Sequence, residues 1–342
     1  MSRIFSGIQP TGELHIGNYL GAVKNWVALQ HEYDTIICIV DYHAITIAYD
    51  PELLRRRRHD MAVSLLAAGI DPNVCALFAQ SQVPEHTELA WFFNTITPLG
   101  ELERQTQFKE KSASQESVLA GILNYPVLQA ADILLYRADT VPVGEDQVQH
   151  LELSRVVARR WNAAFGRLTG RKTEDGADER EEFFPEPKAL LTPTRRIMGL
   201  DGQSKMSKSK GNTIGMLETS ESIWAKLRPA VTDPKRIKKT DPGTPEVCNI
   251  YHLHKAFSPI ATVEHVAVQC STAGWGCIDC KKVLAESIEQ ELVPIRGRAA
   301  ELAARPRLID DALAAGGERC RRLARETIGV VRDRMGFDGV SP

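Results

Sequence analysis

Short apolar, β-branched runs separated by longer stretches of helical spacing restrict this chain more than any other feature. They are Ile4 to Ile8, Thr35 to Val40, Val74 to Gln80 and Thr140 to Val143. Alternation of that kind builds βαβ units, so the expected fold class is α/β with a parallel sheet covered by helices. Ligands of such sheets bind beyond the carboxyl ends of the strands, which directs attention to the loops that follow these runs. Asp50-Pro51-Glu52 opens one intervening helix with a cap, a first-turn proline and an acid at the positive end of the dipole, and Gly69 closes it. Arg55 to Arg58 are consecutive within it. Successive helix positions differ by about 100°, so the four read as a solvated face, with RNA contact as the alternative.

The chain has 342 residues and is 43% hydrophobic, enough for one large domain with a smaller one attached. Lys plus Arg is 42 against Asp plus Glu at 44, so any nucleic-acid surface must be a local patch. Met1 to Phe5 run straight into a strand-like segment with no apolar leader, and no uninterrupted run has transmembrane length. A cytoplasmic protein with no membrane partner is expected. Residues 166 to 194 break the pattern with mixed charge and the prolines Pro185, Pro187 and Pro193, and are expected to be an exposed, mobile insertion. From about residue 216 helical patterning dominates, which predicts a second, mainly helical domain.

Gly7 to Asn18 compress a strand end, a tight turn and a helix start into a dozen residues. Pro10 and Gly12 shape the turn, free N–H groups lie at the helix N-terminus, and His15 and Asn18 share one face three residues apart. Gly17 has no side chain to block a flat ring approaching the backbone. Far along the chain, Ser204 to Asn212 form a Lys/Ser-rich loop flanked by Gly202 and Gly211, able to close over a polyphosphate. In Tyr125 to Tyr136 an acid, Asp132, sits in an otherwise apolar helix. Burying a lone carboxylate is costly, so it needs a donor: an indole N–H, a phenol O–H, or a partner elsewhere in the core.

His15-Ile16-Gly17-Asn18 and Lys205-Met206-Ser207-Lys208-Ser209 together resemble the HIGH and KMSKS motifs of class I aminoacyl-tRNA synthetases, with Asn18 in place of the last histidine. Tyr125 to Tyr136, Val141 to His150, Asp41 to Thr46 and Gly100 to Lys111 further resemble bacterial tryptophanyl-tRNA synthetases. The matches run over residues 3 to 160 and 195 to 232 and reappear in the C-terminal helices. The resemblance implies a Rossmann-like catalytic domain over residues 1–215, carrying the insertion at about 166–194. It implies a helical domain that binds the tRNA anticodon over 216–342.

It also implies residue roles. Asp132 would accept the indole N–H, with Phe5, Val141 and Val143 lining the ring pocket. Tyr125 and Gln147 would hold the substrate amino group, and Gln9 or His43 its carboxylate. ATP would be held by Gln9, Pro10, Thr11, Gly17, Asn18, Gly144, Glu145, Asp146, Ile197 and Lys205 to Ser209, with Asp146 near the ribose hydroxyls. The implied reaction is in-line attack of the L-tryptophan carboxylate on the α-phosphorus of ATP, followed by transfer to the 3′ end of tRNA(Trp). His15, Lys205, Lys208 and Lys111, with Mg²⁺, would stabilise the charge on the phosphates. A homodimer is implied as well. Gln129 departs from the pattern, standing where a methionine would pack on the indole. No length remains for an editing domain, and a buried acceptor at Asp132 would penalise phenylalanine by ~10⁴ or more.

Of the seven cysteines, Cys248, Cys270, Cys277 and Cys280 crowd into one region. Four thiolates can hold tetrahedral Zn²⁺ or a [4Fe–4S] cluster, and on chemistry alone zinc is the default; four unrelated thiols are the alternative. The surrounding sequence resembles a subset of tryptophanyl-tRNA synthetases with a C-terminal [4Fe–4S] motif, which shifts the expectation to iron–sulfur. Cys38 and Cys75 read as core residues and Cys320 as a surface thiol. Lys281, Lys282 and the arginines from Arg319 to Arg325 read equally as a tRNA surface or as solvated helix faces. Three rival functions share parts of this pattern: a tyrosyl-tRNA synthetase, a tRNA-independent nucleotidyltransferase, and a non-catalytic binding relative. The Gly144-Glu145-Asp146-Gln147 wording, the cysteines and the intact Lys205 to Ser209 loop argue against them.

Overall fold

The computed structural model describes residues 1–105, 108–109, 118–143, 148–173, 176–191, 197–207 and 210–337, with side chains between 143 and 173 taken from 151 onward. Five strands form the central sheet: β1 (Arg3–Ile8), β2 (Asp34–Ile39), β3 (Ala76–Ala79), β4 (Thr140–Val143) and β7 (Lys188–Leu191), in the order β3-β2-β1-β4-β7. Every neighbouring pair is parallel. The chain therefore reverses its direction of travel across the sheet between β1 and β4, the switch point at which such folds open a crevice. Among the described residues β1 meets β4 in register only at Ile4↔Thr140, whereas β1 and β2 pair along their whole length. The carboxyl ends of β1 and β4 are thus left unzipped.

The four expected strands lie where the apolar runs predicted, within a residue or two at their ends. Residues 166 to 194 depart from expectation. They hold an antiparallel ribbon, β5 (Leu168–Lys172) with β6 (Asp178–Arg180), and then β7, which extends the central sheet by pairing Thr140↔Lys188 through Val143↔Leu191. The flanking prolines mask a four-residue edge strand, too short to carry an alternation signal, which a neighbouring strand supplies with partners.

Helices cover both faces. In α4 (Pro51–Ala68) the Asp50 side chain accepts the Leu53 N–H at 2.7 Å, and Gly69 ends the helix at φ 116. One face of the sheet carries α1 (Ile16–Asn18), α2 (Lys24–Leu29) and α4, and its core runs without a break into α10 (Asn249–Phe257) and α12 (Cys277–Ala303) through Ile250, Leu284 and Ile288. The other carries α5 (Glu85–Ile96), α7 (Ala120–Leu134), α8 (Val148–Phe165) and α13 (Pro306–Met335). The two remaining elements used below are α3 (Asp41–Ala44) and α11 (Ile260–Ser271). The change near residue 215 is one of secondary structure and not a break in the core.

The last helix returns to the sheet. A Cβ at Gly316 would lie 2.1 Å from the Leu77 carbonyl oxygen, so only glycine lets α13 sit directly on β3. Arg319 then pairs with Asp34 at 2.7 Å, Arg321 donates to the Gln82 carbonyl at 2.5 Å, and Arg325 approaches Glu85 at 3.5 Å. Three of the arginines that read from sequence equally as a tRNA surface or as solvated helix faces therefore make contacts that dock this helix, while Arg322 and Arg325 are exposed. Cys320 is a correction: it is 0% exposed, in the core with Cys38 and Ile328. Three neighbouring arginines suggested an exposed face, but they flank a narrow buried stripe. Lys281 is likewise buried, its ammonium donating to the Arg228 and Ala230 carbonyls at 2.8 and 2.6 Å, while Lys282 is exposed. Among the described residues no helix is long and apolar enough to cross a membrane.

Candidate functional site

At the carboxyl end of β1 the chain turns through Gln9, Pro10 and Thr11, closed by Thr11 N–H donating to the Gln9 carbonyl at 2.9 Å. His15 caps α1: its Nδ1 accepts the Asn18 backbone N–H at 3.2 Å, and the Asn18 side-chain Oδ1 accepts the His15 backbone N–H at 3.4 Å. The two residues whose spacing placed them on one helix face form a reciprocal cap, which orients both side chains at the helix start.

The Lys/Ser loop, almost two hundred residues away in sequence, lies against this turn. Ile16 N–H donates to the Ile214 carbonyl at 2.9 Å and Met216 N–H to the Leu14 carbonyl at 2.8 Å, so residues 14–16 run antiparallel to 214–216. A Cβ on Gly17 would stand 3.0 Å from the His15 ring and 3.4 Å from Met206 Cβ. The tight contact is with the His15 ring, so the missing side chain leaves room for the capping imidazole, while Met206 of the other loop packs at ordinary contact distance. Met206 is buried, while Lys205 beside it is exposed, and Ile197 accepts the Met206 N–H at 3.2 Å.

Asn212 clasps the loop from inside. Its amide donates to Asp201 at 2.8 Å, to Ser204 Oγ at 3.2 Å and to the Lys205 carbonyl at 3.3 Å, and its oxygen accepts the Ser207 N–H at 2.8 Å. Asp201 also accepts the Gln203 N–H at 3.1 Å, and its acidity is raised, first by the Asn212 amide. Sequence gave no role to Asp201 or Asn212. Their signal was only an Asx residue at each end of a glycine-flanked loop.

Asp132, on α7, is 1% exposed and has three donors. Oδ1 receives Gln80 Nε2 at 2.6 Å and His86 Nδ1 at 2.6 Å, and Oδ2 receives His43 Nε2 at 2.7 Å. Burial alone would raise its pKa, but the two imidazoles outweigh burial and hold it at about 2. The acid thus finds its partners inside the protein, as the core alternative allowed, yet an ionised carboxylate has about four acceptor directions, and one on Oδ2 is left. His43 is committed to Asp132, so of the two residues offered for the substrate carboxylate, the exposed Gln9 at the end of β1 is the one with its side chain at the surface.

Around this centre, Phe5 stacks on Tyr136 with ring centres 5.7 Å apart, and Tyr125 meets the His43 ring edge-on at 6.2 Å. Val141 is buried and Val143 partly so, one strand away from Phe5. Phe5, His43, Tyr125, Asp132 and Val141 are therefore one cluster at the β1/β4 switch point. Gln129 is partly exposed on the same helix as Asp132. Gln80 and His86 were missed: the first had only its position at a strand's carboxyl end as a signal, and the second none. Gly144, Glu145, Asp146, Gln147, Lys111, Lys208 and Ser209 lie outside the described residues, although the chain leaves β4 at Val143, directly before the first four.

Far from this cluster in sequence, Cys248, Cys270, Cys277 and Cys280 line one pocket of about 310 Å³, counted to its open mouth, together with Arg236. Cys248 precedes α10, Cys270 lies near the end of α11, and Cys277 and Cys280 occupy the first turn of α12. A Cβ on Gly243 would reach to 2.5 Å from Cys270 Sγ, so the loop before α10 is moulded onto that sulfur. Burial, and then the neighbouring thiols, push Cys280 up to about 12. Among the described residues no three His, Cys, Asp or Glu side chains converge closely enough to hold a single metal ion.

A family model described as tRNA synthetases class I (W and Y) matches residues 1–293. A tryptophan–tRNA ligase of Deinococcus radiodurans is 53% identical, covering 98% of this chain and 99% of that one, and one of Thermotoga maritima is 40% identical over 97% and 98%. Among solved structures, a tryptophanyl-tRNA synthetase of Campylobacter jejuni complexed with ADP and tryptophan superimposes with a TM-score of 0.85 at 33% identity, covering 98% of this chain and 99% of that one. The chain belongs to the class I tRNA synthetases of the tryptophan and tyrosine branch.

Proposed function

We propose that this member of the branch is a tryptophan–tRNA ligase, activating L-tryptophan with ATP to tryptophanyl-adenylate and pyrophosphate and then esterifying the 3′ end of tRNA(Trp). The names of its relatives support this reading over full-length matches. The observation that carries the choice of amino acid is Asp132: a buried, ionised acceptor beside Phe5, Tyr125 and Val141, with one acceptor direction remaining. A site built to accept a ring N–H rejects phenylalanine, which leaves that direction unpaired. The test is pyrophosphate–ATP exchange with each of the twenty amino acids in turn. Exchange driven by tryptophan alone is expected; exchange driven by tyrosine alone, or by none, overturns the reading.

In the proposed cycle Phe5, Val141 and Val143 hold the indole, Tyr125 and Gln147 the amino group, and Gln9 the carboxylate. His15, Gly17, Asn18 and the turn at Gln9 to Thr11 receive the ATP phosphates, Ile197 and Gly144 to Asp146 the nucleoside, and Met206, Ser207 and Ser209 keep the closing loop on it. The carboxylate attacks the α-phosphorus in line, with no bond to a side chain, so the protein acts by placement and charge. Lys205, Lys208 and Lys111 offset the charge passing to pyrophosphate. Mg²⁺ bound with ATP would supply further phosphate neutralisation.

Residues 216–342 are proposed to carry the anticodon side of tRNA, with the exposed Lys282 and Arg322 among the groups available to phosphates. The four cysteines are proposed to hold a [4Fe–4S] cluster. Four thiols at the ends of three helices, lining one pocket beside the Arg236 guanidinium, suit a cluster of net negative charge, and zinc is the alternative. Bound there, a cluster would cross-link α10, α11 and α12. Iron with acid-labile sulfide in protein purified anaerobically is expected; stoichiometric zinc in a colourless protein rules the cluster out. We also propose a cytoplasmic homodimer, on the strength of the family resemblance.

A further inference from the structure

We infer that Gln80 and His86 are positioning residues for tryptophan recognition: they fix the Asp132 carboxylate so that one acceptor direction on Oδ2 is reserved for the ring N–H of the substrate. The inference rests on Asp132 being the ring acceptor, as proposed above.

Both residues are 0% exposed, so they act on substrate only through Asp132. Together they saturate Oδ1, each at 2.6 Å, while Oδ2 carries His43 alone. Each is itself held in a single orientation. Gln80 Oε1 accepts the Tyr42 N–H at 3.0 Å, so its Nε2 must face Asp132, since a flipped amide would set oxygen against carboxylate and nitrogen against N–H. That same contact fastens α3, the short helix that brings His43 to the other oxygen. His86 Nε2 lies 2.7 Å from the Tyr136 hydroxyl. An ionised carboxylate can only accept, so the His86 nitrogen facing Asp132 carries the proton, while the Tyr136 hydroxyl holds the ring at its other nitrogen. Tyr136 is wedged in turn, flat against Phe5 at 5.7 Å and edge-on to Phe78 at 6.0 Å.

The second terminal torsion of aspartate is broad and two-fold, so an unsupported carboxylate turns readily and presents its oxygens in several directions. Two donors on one oxygen remove that freedom. Oδ2 then offers His43 one lone pair and the substrate the other, in a fixed place. Removing a donor from Oδ1 should weaken ligands that carry a ring N–H and leave those without one largely untouched.

The test compares tryptophan with β-(3-benzothienyl)alanine, in which sulfur replaces the ring N–H, in pyrophosphate–ATP exchange by the full-length protein. The wild type should prefer tryptophan. In Gln80→Met and His86→Leu the KM for tryptophan should rise ~10-fold, the size of one charge-assisted hydrogen bond, with KM for the sulfur analogue within about twofold. His86→Asn returns an N–H near the Nδ1 position and should restore most of the preference. Equal losses for both amino acids in Gln80→Met make the contacts merely structural and overturn the inference, and this arm holds even if His86→Leu does not fold. A wild type that activates tryptophan and the analogue equally well removes Asp132 as the ring acceptor, and the inference with it.

Discussion

The Asp132 cluster is a buried polar site and the four-cysteine pocket a half-buried one, and they solve the same problem in opposite ways. Asp132 brings one negative charge into the core and is met by three donors from α3, α5 and the turn after β3, so its geometry is complete before any ligand arrives. The cysteines bring four groups of the same kind together, with the Arg236 guanidinium 3.8 Å from Cys270 Sγ and the Lys281 ammonium to oppose their charge. Burial and mutual repulsion keep Cys280 protonated. The difference separates a site whose hydrogen bonds are already made from a donor set that a ligand would complete. The first is rigid by hydrogen bonding; the second gains its order on binding.

The contrast breaks most readily at its satisfied end. Asp132→Asn replaces an acceptor of three N–H groups with an amide that must donate to one of them, so it should cost ~3 kcal/mol of stability in urea unfolding and at least ~100-fold in kcat/KM for tryptophan. A small effect on both would mean that the network is slack. At the other end, Cys280→Ser should reduce iron and sulfide to background and lower Tm. Tryptophan-dependent exchange without tRNA should stay within about threefold, because no partner of Asp132 comes from the cysteine region. Loss of exchange in parallel with iron would show the two regions to be coupled.

A finer test concerns loop and pocket. Asn212→Ala removes the clasp behind Lys205 and should raise the KM for ATP ~10-fold while leaving that for tryptophan unchanged. The smallest effect is in pH. The folded value of about 2 for Asp132 lies below its ordinary 3.8, so its contribution to stability is complete above that ordinary value and disappears as pH falls toward 2. The difference amounts to ~2 kcal/mol. Wild type and Asp132→Asn should therefore converge in stability on acidification, followed by urea midpoints measured across that range.

The sequence by itself determined the architecture and the family to which the chain belongs. Apolar alternation marked four strands, because a strand buried in a parallel sheet must be apolar along its whole length. The cap at Asp50 was visible because capping is local, set within three or four residues. The two segments proposed to receive phosphates could be paired by motif. What stayed hidden depended on distant partners. The edge strand β7 exists because β4 offers it hydrogen bonds, and Cys320, Lys281 and Arg319 became buried or paired only when α12 and α13 packed back. Gln80, His86 and Tyr136 had no pattern of their own, since their role is fixed by where Asp132 stands in space. Sequence announced that a buried acid needs a partner; only the tertiary structure decided which partners, because hydrogen-bond direction is a property of three-dimensional placement.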